Sequence, residues 1–145
     1  KRLKFHKNLN NKSNIKILNL GIAGENGKKF FYVNSKNSGG HSIIKNVDRK
    51  KKVEIKTIRL SDFCKKEKIK KIDFLKVDCE GAEFEIFHKD EAFLNIVKKI
   101  IMECHPVKGK SVFSLLSLLK KYNFTIHNEN EILSDNKLNM IYASK

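Results

Sequence analysis

Long apolar runs are missing from this 145-residue sequence, and none approaches the roughly 20 residues that a membrane-spanning helix requires. The first 14 residues are basic and polar, and they contain no hydrophobic stretch of the kind found in secretory signal peptides. We therefore expect neither membrane insertion nor export, and we predict a cytoplasmic protein.

Cysteine is also scarce, with Cys64, Cys79 and Cys104 the three in the chain. Three is an odd number, and no Cys-x-x-Cys or paired Cys/His spacing is present, so neither a disulfide framework nor a structural zinc site is predicted. The motifs of phosphate-binding loops, zinc proteases and serine hydrolases are missing as well. We expect reduced thiols, and we infer no metal.

Arginine is the third shortage. The 31 basic side chains outnumber the 16 acidic ones and give a formal charge of +15, yet only Arg2, Arg49 and Arg59 are arginine. A basic excess is typical of proteins that bind polyanions, but arginine supplies the bidentate contacts to phosphate and guanine. Nucleic acid is therefore not the expected partner. The alternative, a non-enzymatic basic module for nucleic acid or an acidic surface, rests on charge alone and predicts salt-dependent affinity for DNA or RNA.

The chain does contain enough apolar sequence for one domain with a buried core, since 40% of its residues are apolar and 32% are charged. Strand-like and helix-like segments alternate along it. The predicted strands are 14–20, 28–33, 53–60, 72–77, 97–104, 124–127 and 138–143, and the predicted helices are 61–68, 82–88 and 111–122. This order indicates an α/β fold whose sheet has a mostly parallel middle and ends in an antiparallel strand pair.

Polar side chains follow two of the predicted strands at the points where those strands end. Asp78 and Glu80 come directly after the apolar run at 72–77, and Glu103 and His105 close the run at 97–104. Ligands of open α/β sheets bind at the carboxyl ends of the strands, so neighbouring strands would bring these four side chains to one rim. Carboxylates and an imidazole there can accept a proton from a substrate hydroxyl or bind ligand hydroxyls.

Simpler explanations exist for several of these residues. Glu80 can serve only to offset the dipole of the following helix, and His105 can simply end a strand. Glu83 and Glu85 are expected to be solvated glutamates on a helix face. The acids of this region form a local acidic island that would repel a nucleic-acid backbone; they are Asp78, Glu80, Glu83, Glu85, Asp90 and Glu91. The Gly39–Ser42 loop either closes over a ligand or is a surface connection.

The stretch 72–87, IDFLKVDCEGAEFEIF, resembles the signature segment of the FkbM family of S-adenosylmethionine-dependent methyltransferases. The matching positions are Lys76, Asp78, Glu80, Gly81, Ala82 and Glu83. Flanking segments resemble the family too: TIRLSDF at 57–63, IIMECHP at 100–106, NLGIAGENG at 19–27 and the loop at 39–42. The resemblance therefore runs along most of the chain.

The resemblance implies a Rossmann-like class I methyltransferase sheet, S-adenosylmethionine as cofactor, and O-methylation of a hydroxyl on a sugar, a glycan or another small metabolite. It also implies roles for individual residues. Gly21 and Ile22 would border the adenine, and Asp78 would stand near the transferred methyl. Glu80 would lie beside Asp78, as a base or substrate ligand. Glu103 and His105 would face the acceptor.

Two elements that such enzymes use for the cofactor are missing from these 145 residues: a glycine-rich turn after the first strand, and an acidic residue at the end of the second. In the class order both strands lie between the third and the fourth, so the third, at 15–20, is expected to have no neighbour in its sheet. The chain is therefore predicted to be the C-terminal portion of a methyltransferase domain, N-terminally incomplete, inactive alone and without measurable S-adenosylmethionine binding. A degenerate paralogue that has lost cofactor binding is the remaining alternative.

Overall fold

The protein is a mixed α/β structure with two small sheets, seen in a computed structural model that describes residues 2–34, 40–45 and 51–145. Its helices are α1 (Arg2–Leu9), α2 (Leu60–Lys66), α3 (Glu83–Lys89) and α4 (Val112–Lys121). Its strands are β1 (Gly21–Ile22), β2 (Gly27–Val33), β3 (Lys51–Ile58), β4 (Leu75–Asp78), β5 (Lys99–Cys104), β6 (Thr125–Ile126) and β7 (Asn139–Ser144). Short 3₁₀ turns lie at Ala92–Ile96 and Glu129–Glu131. Within the described ranges, no helix is both long and apolar enough to cross a bilayer.

The larger sheet has the strand order β4-β5-β7-β6. β4 and β5 are parallel, and their register places Asp78 opposite Glu103. β7 then pairs antiparallel with both β5 and β6. The predicted antiparallel ending is thus confirmed. The strands at 72–77 and 97–104 are neighbours, which is the condition under which their polar ends meet. Because the two strands are parallel, the residues that follow them meet at one edge of the sheet.

The smaller sheet has the order β1-β3-β2, and it corrects the strand predicted at 14–20. Strand structure begins only at Gly21, where β1 pairs parallel with the end of β3 for two residues. A strand needs a neighbour for its backbone hydrogen bonds, and residues 14–20 pair with no strand in the part of the chain that is described. The side chains of Ile15 and Leu18 are accordingly 43% and 45% exposed.

The bounds of β3 and β4 also differ from the predicted ones. β3 ends at Ile58, two residues before the predicted end, because Leu60 already begins α2. β4 is shorter at its start than predicted, since Ile72 makes only an isolated bridge to Val97 and regular pairing begins at Leu75. Both shifts leave the strand ends that carry the candidate site residues in place.

Helix α4 covers one face of the larger sheet, as its apolar stripe predicts. The stripe residues are all buried; they are Val112, Leu115, Leu116 and Leu119. Serine is a favoured N-cap residue, and Ser111 stands at the N-cap position of α4, but its side chain does not cap the helix. Asp135 caps it instead, because its Oδ1 accepts hydrogen bonds from the Val112 N–H at 2.7 Å and the Ser111 hydroxyl at 3.0 Å.

Helix α3 joins the two sheets through Glu85. Its Oε1 accepts hydrogen bonds from the Gly24 N–H at 3.2 Å and from Lys29 Nζ at 2.6 Å. The expectation that Glu85 is a solvated helix-face residue is therefore wrong. Gly24 packs so closely that an added Cβ would lie 2.8 Å from the Glu85 carbonyl oxygen. This contact fixes the segment after β1 relative to the helix that begins at the rim.

Candidate active site

The first two candidate residues are Asp78, which ends β4, and Glu80, which lies in the tight turn that follows. The backbone of this turn adopts positive φ twice in succession, 54° at Glu80 and 99° at Gly81. Glycine suits the second position, and a Cβ there would also approach Val107 to 3.0 Å. A glutamate in this region is strained by about 1–3 kcal/mol, and such strain is concentrated at functional sites. The turn reverses the chain into α3 and leaves the Glu80 side chain at the rim.

Three of the four predicted side chains converge at this rim. One ligand atom from each of Asp78, Glu80 and His105 lies within 4.8 Å of the others. His105 Nε2 is 3.8 Å from Glu80 Oε1. Glu103 is linked to the group through Lys76, whose Nζ lies 3.2 Å from Glu103 Oε1 and 3.3 Å from Asp78 Oδ2. The predicted convergence is therefore present, while the catalytic roles remain predictions.

Glu83 is the site residue that sequence reasoning missed. Its side chain is fully buried, its Oε1 accepts the Cys79 N–H at 2.9 Å, and the same oxygen lies 3.1 Å from His105 Nδ1. The expectation of a solvated Glu83 is wrong, because the start of α3 packs against the rim rather than facing solvent. A partial signal existed: a glutamate in the first turn of a helix can reach back to a backbone N–H that precedes the helix.

Electrostatics at the rim centre on His105. The hydrogen bond to Glu83 raises the pKa of this imidazole; burial opposes the rise, and the charges of Glu83, Glu80 and Asp78 add to it. An ionised carboxylate only accepts hydrogen bonds, so Nδ1 carries the proton toward Glu83. Nε2 is thereby presented to Glu80 and the rim. The buried carboxylate thus orients the ring and favours its charged form.

Cysteines next to the rim do not supply a nucleophile. Burial raises the pKa of the Cys79 thiol to about 11 and that of Cys104 to about 12, and the nearby Glu83 charge adds to both shifts. Both thiols are therefore neutral near pH 7, and the thiolate is the reactive form. All three cysteines of the chain are free.

A cavity of about 430 Å³ opens beside the rim. This size is within the range of small-molecule sites. Its lining residues are Ile44, Lys45, Glu80, His105, Pro106, Val107 and Lys108. Glu80 and His105 thus face a space that an acceptor can enter. Sequence reasoning did not identify Lys45 or Lys108, because lysine is too frequent in this chain for single lysines to stand out.

The described part of the predicted small-residue loop packs against the rim turn. Ser42 exchanges backbone hydrogen bonds with Tyr32, and its hydroxyl donates to the Cys79 carbonyl at 3.4 Å. Ser42 is buried and also accepts the Ile44 N–H, so it supports the turn. Gly39 lies outside the described residues, and the prediction that the loop closes over a ligand stays a prediction.

The two residues predicted to border the cofactor lie on the other sheet. Gly21 and Ile22 form β1, and Gly21 approaches β3 so closely that a Cβ would lie 2.8 Å from Ile55 Cδ1. Ile22 packs against the main hydrophobic core. Gly21 and Ile22 thus lie on a different sheet from Asp78 and Glu103, which end β4 and β5. Hydrogen bonds from Gly24 and Lys29 to Glu85 connect that sheet to α3.

Comparison with known proteins gives one match. A family model for the methyltransferase FkbM domain matches residues 3–126, which is most of the chain and includes the rim turn and the end of β5. Searches of curated proteins and of solved structures found no match. The family match agrees with the resemblance carried by the segment at 72–87. The chain therefore belongs to the FkbM methyltransferase family.

Proposed function

We propose that the full-length protein transfers a methyl group from S-adenosylmethionine to a hydroxyl of a sugar, a glycan or another small metabolite. The observation that carries the proposal is the convergence of Asp78, Glu80 and His105 at the carboxyl ends of β4 and β5 in an FkbM-family chain. The larger sheet supports the proposal, because β4 and β5 are parallel neighbours in a mixed α/β structure and their ends carry these side chains. No nucleic acid or membrane partner is part of this proposal.

Methyl transfer to oxygen is a displacement at carbon, so it depends first on placing the acceptor oxygen in line with the sulfonium. The cavity beside Glu80 and His105 can hold a small acceptor at the end of β4. In this proposal Asp78 stands near the transferred methyl group, and Gly21 and Ile22 border the adenine. The hydrogen bond from the Gly24 N–H to Glu85 helps fix the position of β1 relative to α3, the helix that begins at the rim.

The acceptor hydroxyl must also lose its proton as the new carbon–oxygen bond forms. Two groups that line the cavity can accept it: the Glu80 carboxylate, and the His105 imidazole when its Nε2 carries no proton. Glu83 is a positioning residue in this scheme, because its buried carboxylate holds the His105 ring by Nδ1. Glu103 acts at longer range, through the Lys76 ammonium that it shares with Asp78.

The proposal is tested by measuring S-adenosylhomocysteine formation by mass spectrometry, with the full-length protein, S-adenosylmethionine and a panel of sugars and hydroxylated metabolites. We expect one or more acceptors to raise product formation at least about tenfold above the acceptor-free rate. A matched control is Glu54→Gln, which alters an exposed carboxylate paired with Lys28 and should leave the rate unchanged. Salt-dependent binding of DNA or RNA without any turnover would contradict the proposal and support the basic-module alternative.

A further inference from the structure

We propose that Asp78, Glu80 and His105 bind one divalent first-row transition cation, of which Mn²⁺ and Zn²⁺ are the candidates. The three ligand atoms lie within 4.8 Å of one another, and His105 Nε2 and Glu80 Oε1 are 3.8 Å apart. Two ligand atoms that each lie about 2.1 Å from one ion are roughly 3–4 Å apart. Side-chain movements of about 1 Å would therefore bring all three ligand atoms to bonding distance of a single ion. The three ligands form no sequence motif, because Asp78 and Glu80 lie at the end of β4 and His105 follows β5.

Glu83 provides a second, independent reason. A histidine that binds a metal through one ring nitrogen nearly always donates its other N–H to a carboxylate or carbonyl. Here His105 Nδ1 lies 3.1 Å from Glu83 Oε1, which leaves Nε2 for the rim. Glu83 is fully buried, and within the described part of the chain its Oε2 has no hydrogen-bond partner. A buried carboxylate needs positive charge nearby, and either a protonated His105 or a metal ion bound at its Nε2 supplies it.

The donor set selects the class of cation. Mg²⁺ and Ca²⁺ favour oxygen ligands, whereas Zn²⁺ accepts imidazole with carboxylate, and Mn²⁺ tolerates the same mixture. Lys76 competes, because its ammonium already lies 3.3 Å from Asp78 Oδ2. We therefore expect moderate affinity. Three protein ligands leave at least one coordination position open, and the cavity that Glu80 and His105 line gives it access to an oxygen atom of water or acceptor. Glu80 and His105 would serve as proton acceptors only in the metal-free protein, because in the metal-bound protein their lone pairs are held by the ion.

The test is direct metal binding by the full-length protein after EDTA treatment, without S-adenosylmethionine or acceptor. Mn²⁺ is titrated by electron paramagnetic resonance of the free ion, and Zn²⁺ by calorimetry. We expect one saturable site per chain for at least one of the two ions. His105→Gln and Glu80→Gln should each weaken binding at least about tenfold, and Glu83→Gln about tenfold or more through the orientation of the ring.

Matched controls are His127→Gln, an exposed histidine bonded to Ser144, and Glu54→Gln on β3; neither should change the affinity. Unfolding curves show whether each variant is folded. Failure of both ions to bind, or equal binding by wild type and the folded His105→Gln variant, would overturn the inference. Because no methyl donor is present, such a result leaves the proposed methyl transfer standing.

Discussion

Replacing Asp78 with alanine in the full-length protein should lower the rate of methyl transfer at least about 100-fold, the loss expected when reacting groups are misplaced by about 1 Å. Asp78 ends β4 and lies within 4.8 Å of the Glu80 and His105 ligand atoms, so its loss changes the rim where the transferred methyl is expected. The free energy of unfolding should hardly change. The carboxylate is 39% exposed and its ion pair with Lys76 is exposed as well, and such pairs contribute little to stability.

Asp73→Asn is the matched control for this variant. Asp73 is also an aspartate near β4, but it is more exposed and forms an ion pair with Lys71 at the surface. Its turnover should equal that of wild type. Unchanged turnover in Asp78→Ala, together with unchanged stability, would remove Asp78 from the site.

Replacing Glu83 with alanine should lower the free energy of unfolding by about 2–4 kcal/mol, measured by urea denaturation. The substitution removes the acceptor of the Cys79 N–H and the partner of His105 Nδ1, and it leaves a cavity where a fully buried side chain stood. Glu83→Gln should cost less, because its amide oxygen can still accept the Cys79 N–H. Equal stability of Glu83→Ala and wild type would contradict the assigned contacts.

The same variant has a pH signature in EDTA-treated protein. Glu83 raises the pKa of His105 above its ordinary value of 6.5 in the folded state. The stabilisation from this pair is therefore fully present below about pH 6.5 and is lost as pH rises through the raised pKa. In Glu83→Ala that loss of stability should shrink. Parallel stability-against-pH curves for the two proteins would show that Glu83 does not set the His105 pKa.

Residues at the ends of β4 and β5 could be predicted from the sequence, because two features are local. Each apolar run has a length typical of a buried strand, and the polar residues follow it directly. The rule that ligands bind at the carboxyl ends of parallel strands then suffices to bring Asp78, Glu80 and His105 together. The apolar stripe of α4 is predictable for the same reason, since its spacing is a property of one helix.

What could not be predicted depends on partners distant in sequence. The run at 14–20 has strand composition, yet it forms no strand, because no segment that the structure describes pairs with it. Glu83 resembles a solvated helix residue until the start of α3 packs against the end of β5 and buries it beside His105. Local preference favours Ser111 as the cap of α4, whereas Asp135, 24 residues downstream, supplies the acceptor.

Titration of the full-length protein with S-adenosylmethionine in a calorimeter tests the central claim most directly. The account predicts saturable binding with a micromolar dissociation constant, and displacement by S-adenosylhomocysteine, since an FkbM-family methyltransferase must hold its methyl donor before any acceptor reacts. Absence of saturable heat from a preparation that unfolds cooperatively would contradict it.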